Sequence, residues 1–160
     1  MGNEQELQVY LNRIQSNLGS EEDYINAMEV LAGFQNYSKI LALASQGIEK
    51  YTDNADFYYY LAYSNLKLGN TQEAFSNINV GISKSSDDDI KCLILGIDIA
   101  RSNEDPDNAV AFLKLAFEKK PESEELHKKL LEFIEVHGEY IGNNIKLLKT
   151  AYRSGSEEVG

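Results

Sequence analysis

One cysteine, two prolines and no tryptophan occur in 160 residues. A single thiol, Cys92, excludes an internal disulfide framework and fits a reducing compartment such as the cytoplasm. With proline confined to Pro106 and Pro121, long helices can run uninterrupted. No apolar run approaches the ~20 residues that span a bilayer. The acidic start, Met1-Gly2-Asn3-Glu4, has none of the features of a secretory signal. Glu6 stands where an N-myristoylated chain would want Ser or Thr. Positive charge is scarce as well: 15 Lys and Arg stand against 26 Asp and Glu, for a net charge of −11. A nucleic-acid binder needs a basic stripe to displace counterions. The densest basic pair, Lys128-Lys129, sits among Glu124, Glu125, Glu132 and Glu135. The same acidity disfavours anionic lipid. Neither nucleic acid nor membrane insertion is expected.

Catalytic signatures are also missing. His127 and His137 are the only histidines, and they lack the His-x-x-x-His spacing of a helical metal site. Cys92 lies in an apolar run without a cationic neighbour, which makes an inert buried thiol the expectation. Asp87-Asp88-Asp89 lacks the alternating ligands and glycine of a calcium loop and reads as a cap with an acidic first turn. No glycine-rich phosphate loop occurs. No enzyme activity, metal or cofactor is expected.

What the chain does have is a period. Gly47-Ile48 recurs as Gly81-Ile82 and Lys50 as Lys84, both at a spacing of 34. Ala116-Phe117 follows at 35 and Thr150-Ala151 at 34. Other columns agree: Tyr24 with Tyr58, Leu61 with Leu95, Ala74 with Ala109, Leu113 with Leu147. The extra residue falls in the loop Ser102–Asn108, where insertion costs little. Each unit divides into two helices. In the clearest, Ala55–Leu68 forms the first, Gly69-Asn70 the turn, and Thr71–Ser83 the second. Gly69 suits a left-handed C′ position and Asn70 an N-cap. Ser20 and Ser123 precede acidic first turns, and Asp105-Pro106 reads as a cap followed by proline at the first helical position. No stretch shows the two-residue alternation of strands.

Residues 55–88 resemble a tetratricopeptide repeat through Tyr58, Leu61, Ala62, Gly69, Ala74, Ile78, Gly81 and Ile82. Residues 89–123 match through Leu95, Gly96, Ala109, Leu113, Ala116, Phe117 and Pro121. Residues 21–54 match more weakly, because Met28 and Ile40 replace small residues and should hold that helix pair further apart. Residues 124–153 keep Leu130, Gly138, Leu147 and Ala151. The resemblance implies an all-α, right-handed superhelix of about nine helices: four pairs over 21–153, preceded by a helix within 1–20. That helix carries Leu7, Tyr10, Leu11, Ile14 and Leu18 on one stripe. It reads as a cap on the open end of the stack, with a dimerisation helix as the alternative. Residues 154–160 read as a frayed tail.

In such a stack the first helices of the pairs line a concave groove. Taking Tyr58, Leu61, Ala62 and Asn65 as the inward stripe of one helix leaves Asp56, Tyr59, Tyr60, Tyr63 and Lys67 facing the groove. Taking Cys92, Leu95, Gly96 and Ile99 as inward in the next leaves Ile90, Leu93, Ile94, Ile97 and Arg101. Flanking stripes are Glu22, Ile25, Asn26 and Glu29 before them, and Glu125, Lys128, Lys129, Glu132 and Glu135 after. The groove is thus expected to be apolar in the centre and charged at its ends. Contiguous exposed apolar surface marks binding sites, and tyrosine is a favoured anchor. The expected function is an adaptor that holds a protein or peptide segment with apolar anchors, as a monomer or weak homodimer. A scaffold subunit of a stable assembly is the alternative, as is a chaperone for a hydrophobic client like those of type III secretion. The lysine, asparagine and arginine clamp with which related co-chaperones grip a C-terminal carboxylate is missing: Ile25, Glu29, Tyr60, Ile90 and Ile94 stand at the matching positions.

Overall fold

A computed structural model describes residues 3–138. Eight helices follow one another: α1 Glu4–Gln15, α2 Glu21–Gly33, α3 Tyr37–Lys50, α4 Ala55–Lys67, α5 Thr71–Lys84, α6 Lys91–Ser102, α7 Pro106–Lys119 and α8 Glu124–Val136. There is no strand among the described residues. The ninth helix expected before residue 153 and the tail 154–160 lie outside them. The chain divides into two compact units, Met1–Lys84 and Ser85–Gly160.

Packing in both units joins consecutive helices: α1 to α2, α2 to α3, α3 to α4 and α4 to α5 in the first, α6 to α7 and α7 to α8 in the second. In the first unit α2 also touches α4, and in the second α6 touches α8. Helix pairs joined by short turns and stacked on their neighbours are consistent with a helical repeat.

One turn recurs at the period read from the sequence. Gln35, Gly69 and Glu104 follow the ends of α2, α4 and α6, and all three have positive φ, at 57°, 83° and 54°. After each, the next residue's N–H reaches back five residues to a helix carbonyl: Asn36 to Leu31, Asn70 to Asn65 and Asp105 to Ala100. The left-handed residue itself bonds to Ala32, Leu66 and Arg101 respectively. This pair of bonds is the Schellman closure, which satisfies carbonyls a helix end leaves open. The residue that completes it then starts the following helix. Asn36 accepts from the Lys39 N–H at 3.3 Å and Asp105 from the Asn108 N–H at 3.1 Å. Only Gly69 is the residue type that this conformation favours.

A second recurrent device closes each pair at its other end. The last lysine of α3, Lys50, donates to the Gly19 carbonyl before α2, at 3.4 Å. Lys84, ending α5, pairs with Asp53 before α4 at 3.1 Å. Lys119, ending α7, donates to the Asp87 carbonyl before α6 at 3.1 Å. A cation in the last turn also suits the helix dipole.

The core of the first unit runs from α1 through Phe57. Leu7, Leu11 and Ile14 are buried with Tyr24, Met28, Leu31 and Ile40. Leu18, assigned to the same stripe, is instead 79% exposed, because α1 ends at Gln15 and Asn17 turns left-handed (φ 58°). Met28 and Ile40, large where a repeat would be small, are fully buried and fill a crossing that is looser than that of α4 with α5. On α4 the expected inward stripe needs correction. Ala62 and Asn65 are buried, but so are Phe57 and Ser64, while Tyr58 and Leu61 are half-buried. Phe57 goes inward because Gly47 of α3 leaves room for its ring. The ring stacks on Tyr51 at 5.9 Å and meets Tyr24 edge-on at 6.0 Å. Tyr58 turns instead toward Lys84, whose Nζ lies 5.8 Å from its ring centre.

The acidic run before α6 also differs from expectation. Asp87 and Asp88 precede the helix, and Asp89 accepts from the Lys91 N–H at 2.9 Å while Ile90 stands at the cap position without a capping side chain.

Candidate docking surface

Helix α4 begins where Asn54 accepts from the Asp56 N–H at 2.8 Å and donates to the Glu21 carboxylate at 2.6 Å. That ties its start to the start of α2. Tyr59, Tyr60 and Tyr63 then fall on neighbouring positions of one side. None is buried and none is fully exposed. Tyr59 and Tyr60 meet edge to face at 5.3 Å, and Tyr59 stacks on Tyr63 at 6.2 Å with ring planes 10° apart. Tyr37, from the first turn of α3, meets Tyr63 edge to face at 5.9 Å. Exposed Lys67 places its Nζ 5.6 Å from the centre of the Tyr63 ring. Each such ring contact is worth about 0.5–1.5 kcal/mol beyond the area it buries. The result is a pre-ordered aromatic face of four tyrosines.

Its electrostatics are those of a partly dry, acidic surface. Burial pushes the Tyr60 hydroxyl well above the ordinary tyrosine range, and the charge of Glu29 on α2 adds to the effect. Burial, then the neighbouring Tyr37 hydroxyl, raises Tyr63. Glu22 and Glu29 of α2 are exposed, and Ile25 and Asn26 between them are half-buried. The α2 stripe thus borders the tyrosines, with Glu29 near Tyr60.

The second unit treats its share of the stripe differently. Ile90 is 7% exposed, Leu93 2%, Ile94 9% and Ile97 0%. These side chains do not present the open surface that the groove reading expects of them. The physical reason lies in the helix: α6 buries Cys92, Leu95, Gly96, Ile99 and Ala100 as well, and a helix apolar all round is buried all round. Arg101 is half-buried and bonded to Glu132 of α8 at 3.1 Å. Lys129 of α8 reaches both carboxylate oxygens of Asp98, at 2.9 and 3.0 Å, and lies 3.8 Å from Glu132. Lys129 and Glu132 of the expected charged rim therefore join α8 to α6, through Asp98 and Arg101.

The remaining candidates have structural surroundings. His127 sits with Nδ1 2.8 Å from the Ser123 carbonyl and its ring edge-on to Phe117 at 5.2 Å. The His137 ring lies 4.9 Å from that of Phe133, and Cys92 is buried. Among the described residues no group of three or more His, Cys, Asp or Glu side chains could hold a metal ion. No helix among them is long and apolar enough to cross a membrane.

Helical spacing along α4 could not reveal Tyr37, which joins the aromatic face from another helix. It also missed Phe34 and Leu68, the C-cap residues of α2 and α4, which are 55% and 44% exposed. Their separation of one repeat was the available signal. No protein-family model matches the chain, and no curated protein is significantly similar to it.

Proposed function

We propose that this chain is a tetratricopeptide-like protein-binding module whose α2–α4 face receives an extended segment of another protein. The observation that carries this reading is the aromatic face of Tyr59, Tyr60, Tyr63 and Tyr37, held in register by ring contacts and left accessible. Such rings lose little conformational freedom on binding and supply large contact area. Membership of the repeat family is supported by the left-handed turn that recurs at 35, 69 and 104 and by the matching lysine ties; the right-handed superhelix is what that membership would imply. A reducing location is supported by the single buried thiol.

The deciding experiment is selection from a displayed random-peptide library on the full chain, followed by titration of the selected peptides. Tyr59→Asp and Tyr63→Asp should each weaken binding about tenfold or more, with helical circular dichroism unchanged. Selected peptides that bind both variants as well as wild type would exclude this face.

A scaffold subunit is the second reading. It is favoured by the exposed Leu131 (55%) and Val136 (62%) on α8. It predicts self-association in size-exclusion chromatography that Leu131→Glu abolishes.

A further inference from the structure

The α2–α4 face is aromatic along its length and negative on one side. Glu22 and Glu29 lie two helical turns apart on α2 and so project from the same side. Both are exposed, and neither is ion-paired among the described residues. On α4, Asp56 stands one turn before Tyr60, and Lys67 closes the far end roughly 16 Å away at 1.5 Å per residue. The face therefore carries carboxylates along its α2 side and at the start of α4, and a cation at the end of α4.

We propose that the occupant of this face is an extended peptide segment with an Arg or Lys side chain. Glu29 receives the cation beside the Tyr59–Tyr60 pair, and an apolar or aromatic residue of the segment seats toward Tyr63 and Tyr37. The inference rests on the docking reading given above. A cation placed there is attracted by a carboxylate and by tyrosine ring faces together. Arginine suits the seat better than lysine, because its planar guanidinium stacks on a ring while it pairs with the carboxylate. The charge of Lys67 repels a second cation at the other end and so fixes which way the segment lies. An acidic segment would meet Glu22 and Glu29 unpaired. A second copy of the chain, with its net charge of −11, would in a two-fold contact bring this negative rim against itself.

Fluorescence anisotropy tests this with labelled peptide pools on the full chain. The pools share randomised apolar and aromatic flanks and differ only in a fixed central Arg, Gln or Glu. The Arg pool should bind about tenfold more tightly than the Glu pool, and the gap should narrow as salt is added. Glu29→Gln should level the Arg and Gln pools. The double variant Glu22→Lys, Glu29→Lys should invert the order while leaving circular dichroism unchanged. Equal binding of all pools, with Tyr63→Asp still abolishing it, overturns the cation preference and leaves the docking face standing. An Arg preference that survives the double reversal overturns it equally. Pools that bind Tyr63→Asp as well as wild type, or that do not bind wild type at all, overturn the docking face together with the preference.

Discussion

The ring of Phe57 occupies the space in which a side chain on Gly47 would begin. The contact locks α4 onto α3 in the first unit, and Phe57 is fully buried there with Tyr51 and Tyr24 around it. Gly47→Ala should therefore destabilise the protein by about 1–3 kcal/mol, the cost of overpacking, although alanine is the better helix former. Gly33, the last residue of α2, has no atom of the described residues within 4 Å of where its side chain would begin. Gly33→Ala should stabilise by about 0.5–1 kcal/mol. Urea midpoints of the two variants that move in the same direction would contradict the packing described.

The Ser64 hydroxyl is buried in α4 with no hydrogen-bond partner among the described residues. A stranded polar group costs about 1–3 kcal/mol. Ser64→Ala removes the hydroxyl and leaves a residue that favours helix, so the unfolding midpoint should rise, by about 1 kcal/mol in free energy. A fall in stability would show that the hydroxyl is satisfied in solution.

Gln35 and Glu104 adopt the left-handed turn that Gly69 adopts without strain. A side chain in that region costs about 1–2 kcal/mol, part of which glycine returns through its freer unfolded state. Gln35→Gly and Glu104→Gly should each stabilise by about 0.5–1 kcal/mol, whereas Gly69→Ala should destabilise by about 1 kcal/mol. Thermal melts of the three variants read these signs directly.

Asp23 lies in the first turn of α2, buried, with Arg13 of α1 at 3.0 Å. Burial works against its charge, but the Ser20 N–H, the Arg13 guanidinium and the Ser20 hydroxyl outweigh it and hold the carboxyl below its ordinary 3.8. A lowered folded-state pKa stabilises the fold above the unfolded value, and that contribution is lost as pH falls through the lowered one. Asp23→Asn should be less stable than wild type at neutral pH, and the gap should close as the solution is acidified below about 3.8. A gap that is constant with pH would mean that the charge plays no part.

The period, the helix pairs and the turn at Gly69 were legible because they depend on spacing and on residues with strong local preferences. The matching turns at Gln35 and Glu104 were not, since neither residue type favours left-handed backbone and only the tertiary fold imposes it. Helix α4 shows the limit most clearly. It is apolar on several sides, so periodicity left its rotation open, and Phe57 rather than Tyr58 faces α3. In α6 the same all-round apolar character predicts exposed surface from spacing alone, whereas Ile97 is inaccessible. Tyr59, Tyr60 and Tyr63 could be grouped from spacing alone, but their fourth partner, Tyr37, could not.

The lysines that end α3, α5 and α7 each find their partner 31 or 32 residues earlier in the chain. Synthesis delivers the N-terminal part first, so each of these partners has already been made when its lysine is added. Ribosomes stalled far enough beyond Lys84 for it to leave the exit tunnel would therefore hold a nascent first unit with both of its own lysine anchors attainable before α7 has emerged.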